Sequence, residues 1–197
     1  MILIILAVGG AMLAWYVSSR GFSAKTPPSS AEAYIARRLR RLAVPAHARD
    51  LQNPEPASPE ALSEAMEHYA DHCAICHGND GSGRSHFGSG LYPPPPDMAL
   101  ADTQNLTDGE LYYIVENGIR FTGMPGFGAN PADEKDAATW KLVRFIRHLP
   151  KITDDEVALM TTMNPKSPMD LAKEERIKKF LQGEDVSPED HSSQHHH

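Results

Sequence analysis

The only two cysteines among 197 residues stand in the run Cys73-Ala74-Ile75-Cys76-His77. On a helical turn, positions i, i+3 and i+4 share one face, so both sulfurs and the His77 imidazole can address one bound body together. This is the attachment pattern of a c-type haem, in which Cys73 and Cys76 form thioethers with the porphyrin vinyl groups and His77 is the proximal iron ligand. Cysteines at this spacing also serve as thioredoxin-like dithiols or as half of a zinc site. The first needs a βαβ setting and the second needs further ligands nearby, and the sequence displays neither. The expectation is one covalent haem c and a redox role.

A second candidate lies in the run from Gly118 to Gly128, where Met124 stands among small and rigid residues. Glycines let a backbone approach a flat cofactor closely, and Pro125 restricts the residue before it. A thioether is a soft iron ligand that raises the potential relative to bis-histidine ligation. With the attachment motif upstream, Met124 is the preferred sixth ligand, so the expected metal ligands are His77 and Met124. His86 is an alternative in a glycine-rich loop, whereas His68 and His72 lack the covalent signature. Met66 falls on an apolar helical face and reads as core.

The elements that must position these residues read as helices. Ser58-Pro59-Glu60 supplies the cap and first turn of a helix whose apolar positions Leu62, Met66, Tyr69, Ala70 and Cys73 run into the attachment motif. Residues 78–97 are glycine-rich and then carry Pro93 to Pro96, which suits a stiff loop along one cofactor edge. Thr107 and Glu110 form a capping box for a helix ending at Gly118. Trp140, Val143, Ile146 and Leu149, widened by Leu142 and Phe145, mark a closing helix before Pro150, with Trp140 in ordinary helix packing.

The segment Met1–Val17 carries no charge, and Trp15 and Tyr16 sit where aromatics favour a membrane interface. It reads as an uncleaved anchor of near-minimal length, with a signal peptide as the rival. Arg20 and Lys25 run against export of the following chain by the charge-bias rule. Residues 32–42 form a short basic helix with Ile35, Leu39 and Leu42 on one face. Three fates are open to it: anionic lipid, a partner subunit, or packing of the apolar stripe on the main body. Past Pro150, Thr153 and Glu156 repeat a capping box, and Leu171, Ile177, Phe180 and Leu181 indicate a further amphipathic helix ending at Gly183. Met160, Met163 and Met169 precede a tail holding His191 and His195 to His197, a weak transition-metal candidate.

Formal net charge is −7, unevenly spread. Residues 1–57 carry seven basic and three acidic side chains, whereas residues 58–150 carry six and thirteen. Nucleic acid is thereby excluded as a partner, and a basic redox partner would be steered toward the acidic portion. The expected division is 1–19 anchor or signal, 20–57 linker with basic helix, 58–150 haem domain, 151–183 helical extension and 184–197 a disordered His-containing tail.

Cys73-Ala74-Ile75-Cys76-His77-Gly78, Thr122-Gly123-Met124-Pro125-Gly126-Phe127 and Trp140-Lys141-Leu142-Val143-Arg144-Phe145-Ile146 occur in that order, and residues 58–150 thereby resemble the class I cytochrome c family, specifically its small bacterial monohaem domains. The resemblance implies an all-α, cytochrome c-like haem domain, here with an N-terminal anchor and additional terminal helices. It implies that the first and last domain helices cross beside the haem. It also implies that the second nitrogen of His77 donates to a carbonyl among Pro93 to Pro96, and that Tyr92 and Arg120 contact propionates.

The function expected is that of a non-enzymatic one-electron carrier, tethered to the cytoplasmic membrane with its haem domain on the periplasmic side. It would pass electrons between larger redox proteins or respiratory complexes, and lipid would contact the N-terminal segment. The alternatives are a fixed electron-transfer subunit of an oxidoreductase complex, a haem-based ligand sensor or peroxidase-like protein, and a metal-handling protein using the Met/His tail. The oligomeric state is left open.

Overall fold

The computed structural model describes residues 1–21, 23–128, 136–166 and 168–183. Regular structure among the described residues is helical throughout: α1 Ile2–Arg20, α2 Ser30–Ala43, α3 Ala46–Arg49, α4 Pro59–His72, α5 Ala74–His77, α6 Ala101–Gln104, α7 Asp108–Asn117, α8 Ala137–His148, α9 Asp154–Met163 and α10 Pro168–Leu181. Two 3-10 turns, Gly88–Gly90 and Leu149–Lys151, complete the set. The expected all-α class is what forms. Two compact units divide the chain, residues 1–163 and residues 164–197.

Helix boundaries follow the local chemistry. Ser29 and Glu32 close a capping box at α2, and Thr107 and Glu110 close another at α7. Ser58 caps α4 by accepting from the Ala61 N–H, with Pro59 in the first turn. Asp136 caps α8 through the Thr139 N–H at 2.8 Å. Gly118 ends α7 at φ +68°, a conformation that favours glycine.

The core of the first unit is built where α4 crosses α8. Tyr69 and Phe145 meet with ring centroids 4.8 Å apart. Ala70, Val143 and Phe145 are fully buried around them. Trp140 is also in this core, stacked on Tyr112 of α7 at 4.1 Å, so it is a packing residue as its helical spacing suggests. Met66 is buried in the same cluster.

A single arginine joins three of these helices. Arg147 Nε donates to Asp108 Oδ1 at 2.9 Å, Nη1 donates to the Gln104 carbonyl at 2.8 Å, and Nη2 donates to the Leu106 carbonyl. These carbonyls terminate α6 and precede α7, so the guanidinium satisfies groups that short helices leave bare. The Gln104 amide extends the network by donating to the carbonyls of Met98 (2.7 Å) and Ile146 (2.9 Å).

α9 packs on α4 within the first unit. Met160, expected among the metal-handling methionines, is completely buried in the core, and Met163 packs partly buried against it. The thioether of Met160 is therefore spent on packing and is not available to a solvent-facing metal. In the second unit α10 carries surface ion pairs, Lys166 with Glu174 at 2.7 Å and Lys179 with Glu175 at 3.1 Å. The tail containing His191 and His195 to His197 lies outside the described residues.

α2 departs from one of its expected fates. Its apolar stripe does not pack on the body: Ile35, Leu39 and Leu42 are exposed, and no residue of the helix is buried. The polar side makes the contacts instead. Arg37 pairs with Asp102 at 3.6 Å, Arg40 donates to the Asp102 carbonyl at 3.2 Å, and Glu32 Oε1 accepts from the Tyr92 hydroxyl at 3.2 Å.

Replacement of Phe145 by alanine empties a fully buried aromatic site at the helix crossing, and urea denaturation should register a loss of about 3–5 kcal/mol. A second expectation concerns pH. Burial acts to raise the Glu156 carboxyl, but hydrogen bonds from the Thr153 N–H (2.8 Å) and from His148 (2.9 Å) outweigh it and hold the group below the ordinary glutamate value. A lowered folded value means this contribution is complete above the unfolded carboxylate range and is lost as the pH falls through the folded one. Melting curves taken from neutral to acid pH should therefore show a smaller acid-dependent drop for Glu156→Gln than for the parent chain.

Candidate functional site

The attachment turn is a direct continuation of α4. Cys73 closes α4 by donating its N–H to the Tyr69 carbonyl at 2.8 Å, and it also starts α5. Within that turn Cys76 N–H and His77 N–H both donate to the Cys73 carbonyl, at 3.2 and 2.9 Å. Cys73, Cys76 and His77 are thus gathered on one short helical turn, as their spacing requires. Gly78 then leaves the helix at φ +74°.

Two side chains that the sequence does not announce hold this turn. The Tyr69 hydroxyl donates to the Gly78 carbonyl at 3.1 Å, so the ring at the α4/α8 crossing also grips the chain just past His77. Ser85 Oγ donates to the carbonyls of Ile75 (2.7 Å) and Cys76 (2.9 Å) and accepts from the Gly88 N–H at 2.8 Å. The only hint in the sequence is that residues 81–90 are rich in serine and glycine, a composition that marks a turn without choosing its partners.

Close approaches explain the glycines at two positions. A Cβ at Gly88 would collide with the Cys76 carbonyl oxygen, and one at Gly83 would collide with the Pro95 carbonyl oxygen. Gly83 also donates its N–H to the His77 carbonyl at 2.8 Å. The proline run is therefore pressed against the loop that follows His77.

Burial sets the protonation of the motif. Desolvation pushes the Cys73 thiol up to about 12, with the Cys76 sulfur adding to the shift, and it raises the Cys76 thiol as well. A working dithiol needs a lowered thiol, so the electrostatics oppose the thioredoxin-like alternative. Burial also lowers His77, which keeps the imidazole neutral. A neutral imidazole is the form that ligates a metal.

The His77 Nδ1 atom is buried and makes no hydrogen bond. The bond to a carbonyl among Pro93 to Pro96, implied by the resemblance, is absent, although Pro95 sits against the same loop through Gly83. Tyr92, expected at a propionate, donates its hydroxyl to Glu32 of α2. Arg120 is exposed, and so is His86.

Met124 belongs to a loop with its own internal order. The Ile119 N–H donates to the Met124 carbonyl at 3.1 Å, and the Met124 N–H donates to Thr122 Oγ1 at 3.1 Å. Phe127 and Gly128 then return to α7 by donating to the carbonyls of Val115 and Glu116, each at 3.0 Å. A Cβ on Gly118 would stand 2.6 Å from the Gly126 nitrogen, so the two ends of the loop touch. A link to the attachment turn runs through Leu91, which donates its N–H to the Gly88 carbonyl and whose side chain lies 2.9 Å from a Cβ placed on Gly123. The segments bearing Cys76 and Met124 are therefore joined by one leucine.

A neutral imidazole and two sulfurs on one turn, with a methionine loop tied to that turn by Leu91, fit a haem c. A zinc site fits poorly, because among the described residues no group of three or more His, Cys, Asp or Glu side chains is arranged to hold a metal ion.

Substituting Gly88 by alanine drives a methyl group into the Cys76 carbonyl and should lower the yield of covalently haem-bearing protein. The ratio of haem absorbance to protein in purified material measures it, and Gly90→Ala, where a Cβ meets open space, serves as the control.

Residues 60–146 match a protein family described as cytochrome C oxidase, cbb3-type, subunit III. No curated protein matches the chain. The matched span contains Cys73, Cys76, His77 and Met124 and leaves α1, α2, α9 and α10 outside it. Over less than half of its length, then, the chain is similar to a c-type cytochrome family described as a subunit of cbb3-type oxidase, and not specifically to the small monohaem class I proteins.

Proposed function

We propose that this chain is the membrane-anchored electron-transfer subunit of an oxidase complex, carrying one covalent haem c at Cys73, Cys76 and His77 with Met124 as the sixth ligand. The observation that carries the reading is the attachment turn itself, with its buried neutral imidazole, lying inside the segment that matches an oxidase subunit family. α1 supplies the anchor: its residues Ile2–Ser19 have a mean hydropathy of 2.0 and are long and apolar enough to cross a bilayer. The haem-bearing unit stands on the periplasmic side of the cytoplasmic membrane.

A haem c bound there supplies a one-electron ferric/ferrous couple. The chain's part is to hold and shield it. Cys73, half-sunk in the core, and Cys76, half-buried on the same turn, would hold the group by thioether bonds. His77 offers a lone pair because burial keeps it uncharged. Hydrogen bonds with Thr122 and Ile119 fix the Met124 backbone, so less chain entropy would be lost when its thioether binds the iron. With His77 and Met124 both holding the group, the chain would leave it no open position for substrate, so the subunit would transfer electrons and catalyse no bond change.

The family match favours a fixed subunit over the tethered shuttle that the sequence alone suggested. The acidic residues of the 58–150 segment direct its open edge toward a basic surface on the neighbouring subunit.

Optical spectra of the oxidised and reduced full-length protein test the ligation. A low-spin spectrum with the weak far-red sulfur-to-iron band is expected, and Met124→Ala should abolish that band and lower the reduction potential. A high-spin ferric spectrum in the parent chain, or ready carbon monoxide binding to its reduced form, would instead bring sensing or peroxidase-like chemistry forward.

A further inference from the structure

We propose that α2 is an interfacial helix, lying in the headgroup layer of an anionic bilayer through Tyr34, Ile35, Leu39 and Leu42 while its opposite side clamps the haem-bearing body. The inference rests on α1 being in a membrane and is independent of how the haem is ligated.

α2 is amphipathic in an inverted sense. A surface helix of a globular unit turns its apolar stripe to the core and its charges to water. Here Arg37 and Arg40 face the body, reaching the side chain and carbonyl of Asp102, and Glu32 meets the Tyr92 hydroxyl. The apolar side chains point away: Tyr34, Ile35, Leu39 and Leu42 are each more than half exposed, Leu42 at 78%. A fourteen-residue helix with no buried residue is marginal on its own, so the outward stripe calls for an apolar partner.

The chain itself supplies the reason that this partner is a bilayer. α1 ends at Arg20 and α2 begins at Ser30, so the connection reaches at most about 36 Å whatever its path. A membrane entered by α1 is thus always within reach of α2, at high effective concentration. Charge points the same way. On the helical wheel Arg38 falls between Tyr34 and Leu42 and Arg41 lies just beyond Tyr34, so both arginines border one edge of the Ile35, Leu39 and Leu42 stripe; Arg38 lies over the Tyr34 ring at 5.3 Å, and residues 1–57 carry seven basic side chains against three acidic ones. Apolar side chains edged by arginines are the pattern that anionic headgroups bind. Because Tyr92 follows Leu91, the residue joining the attachment turn to the Met124 loop, a helix held on the membrane would set the direction in which the haem edge faces.

The test uses the full haem-bearing chain in nanodiscs of phosphatidylcholine with or without phosphatidylglycerol, whose acyl chains are brominated near the headgroup. Leu39→Trp is compared with the parent chain, which provides the background from Trp15 and Trp140. The expected result is a blue-shifted emission from position 39, quenched by bromine in phosphatidylglycerol discs. Arg38→Gln and Arg41→Gln should each reduce the lipid-engaged population roughly fivefold. Amide exchange of residues 30–43 in the unsubstituted chain should slow in the same discs, a readout that needs no substitution. No quenching above the parent chain, or equal quenching in phosphatidylcholine alone, would overturn the proposal. So would shielding of position 39 only at raised protein concentration or only in the purified complex, which would assign the stripe to a second copy or to a protein partner. The haem spectrum, recorded on each sample, reports separately on the ligation proposed above.

Discussion

Tyr69 holds the architecture and the candidate site together with one side chain. Its ring packs on Phe145 where α4 crosses α8, and its hydroxyl donates to the carbonyl of Gly78, one residue beyond His77. The phenol is buried, and desolvation keeps it protonated far above neutral pH, so it is always a donor. The position of the attachment turn is in this way set by the helix crossing. Because α4 runs without a break into Cys73, rotation of α4 against α8 would carry both sulfurs and the imidazole with it.

Around that crossing, polar groups are satisfied by a few long-reaching side chains. Arg147 gathers the carbonyls at the ends of α6 and before α7, and Gln104 bridges Met98 and Ile146. Arg144 does the same for the lead-in to α4 by donating to the Glu55 carbonyl at 2.7 Å, and the Asn53 amide returns a bond to the Trp140 carbonyl at 2.9 Å. Short helices leave many carbonyls bare, and a domain of this size has little buried area with which to offset the cost. The arginines of α8 therefore knit the framework, which leaves the acidic side chains as the majority charge on residues 58–150.

The terminal helices differ from that framework in kind. α9 seals α4 with the fully buried Met160, whereas α2 meets the body through the polar contacts of Glu32, Arg37 and Arg40 and through the Arg41 carbonyl, which accepts from Arg49. One is part of the core and the other is fastened to it by polar contacts, so the second is the natural place for an interaction outside the unit. The oxidase-subunit likeness covers residues 60–146 and includes neither helix.

Local chemistry was readable without coordinates. The attachment motif, the Ser58 and Thr107 caps, the glycine stop at Gly118 and the core spacing of Trp140 to Leu149 each depend on residues within a few positions of one another, where a cap or a helical face is decided. Met124 was legible as a loop residue of the right chemistry, but its connection to the attachment turn runs through Leu91 and Gly88, which no spacing rule links. Met160 and the orientation of α2 went the same way. An amphipathic pattern states that a helix has an apolar face, not what covers it, and a methionine suits a core as well as a metal. Those choices depend on which surfaces the chain brings together over long separations, and only the tertiary structure decides them.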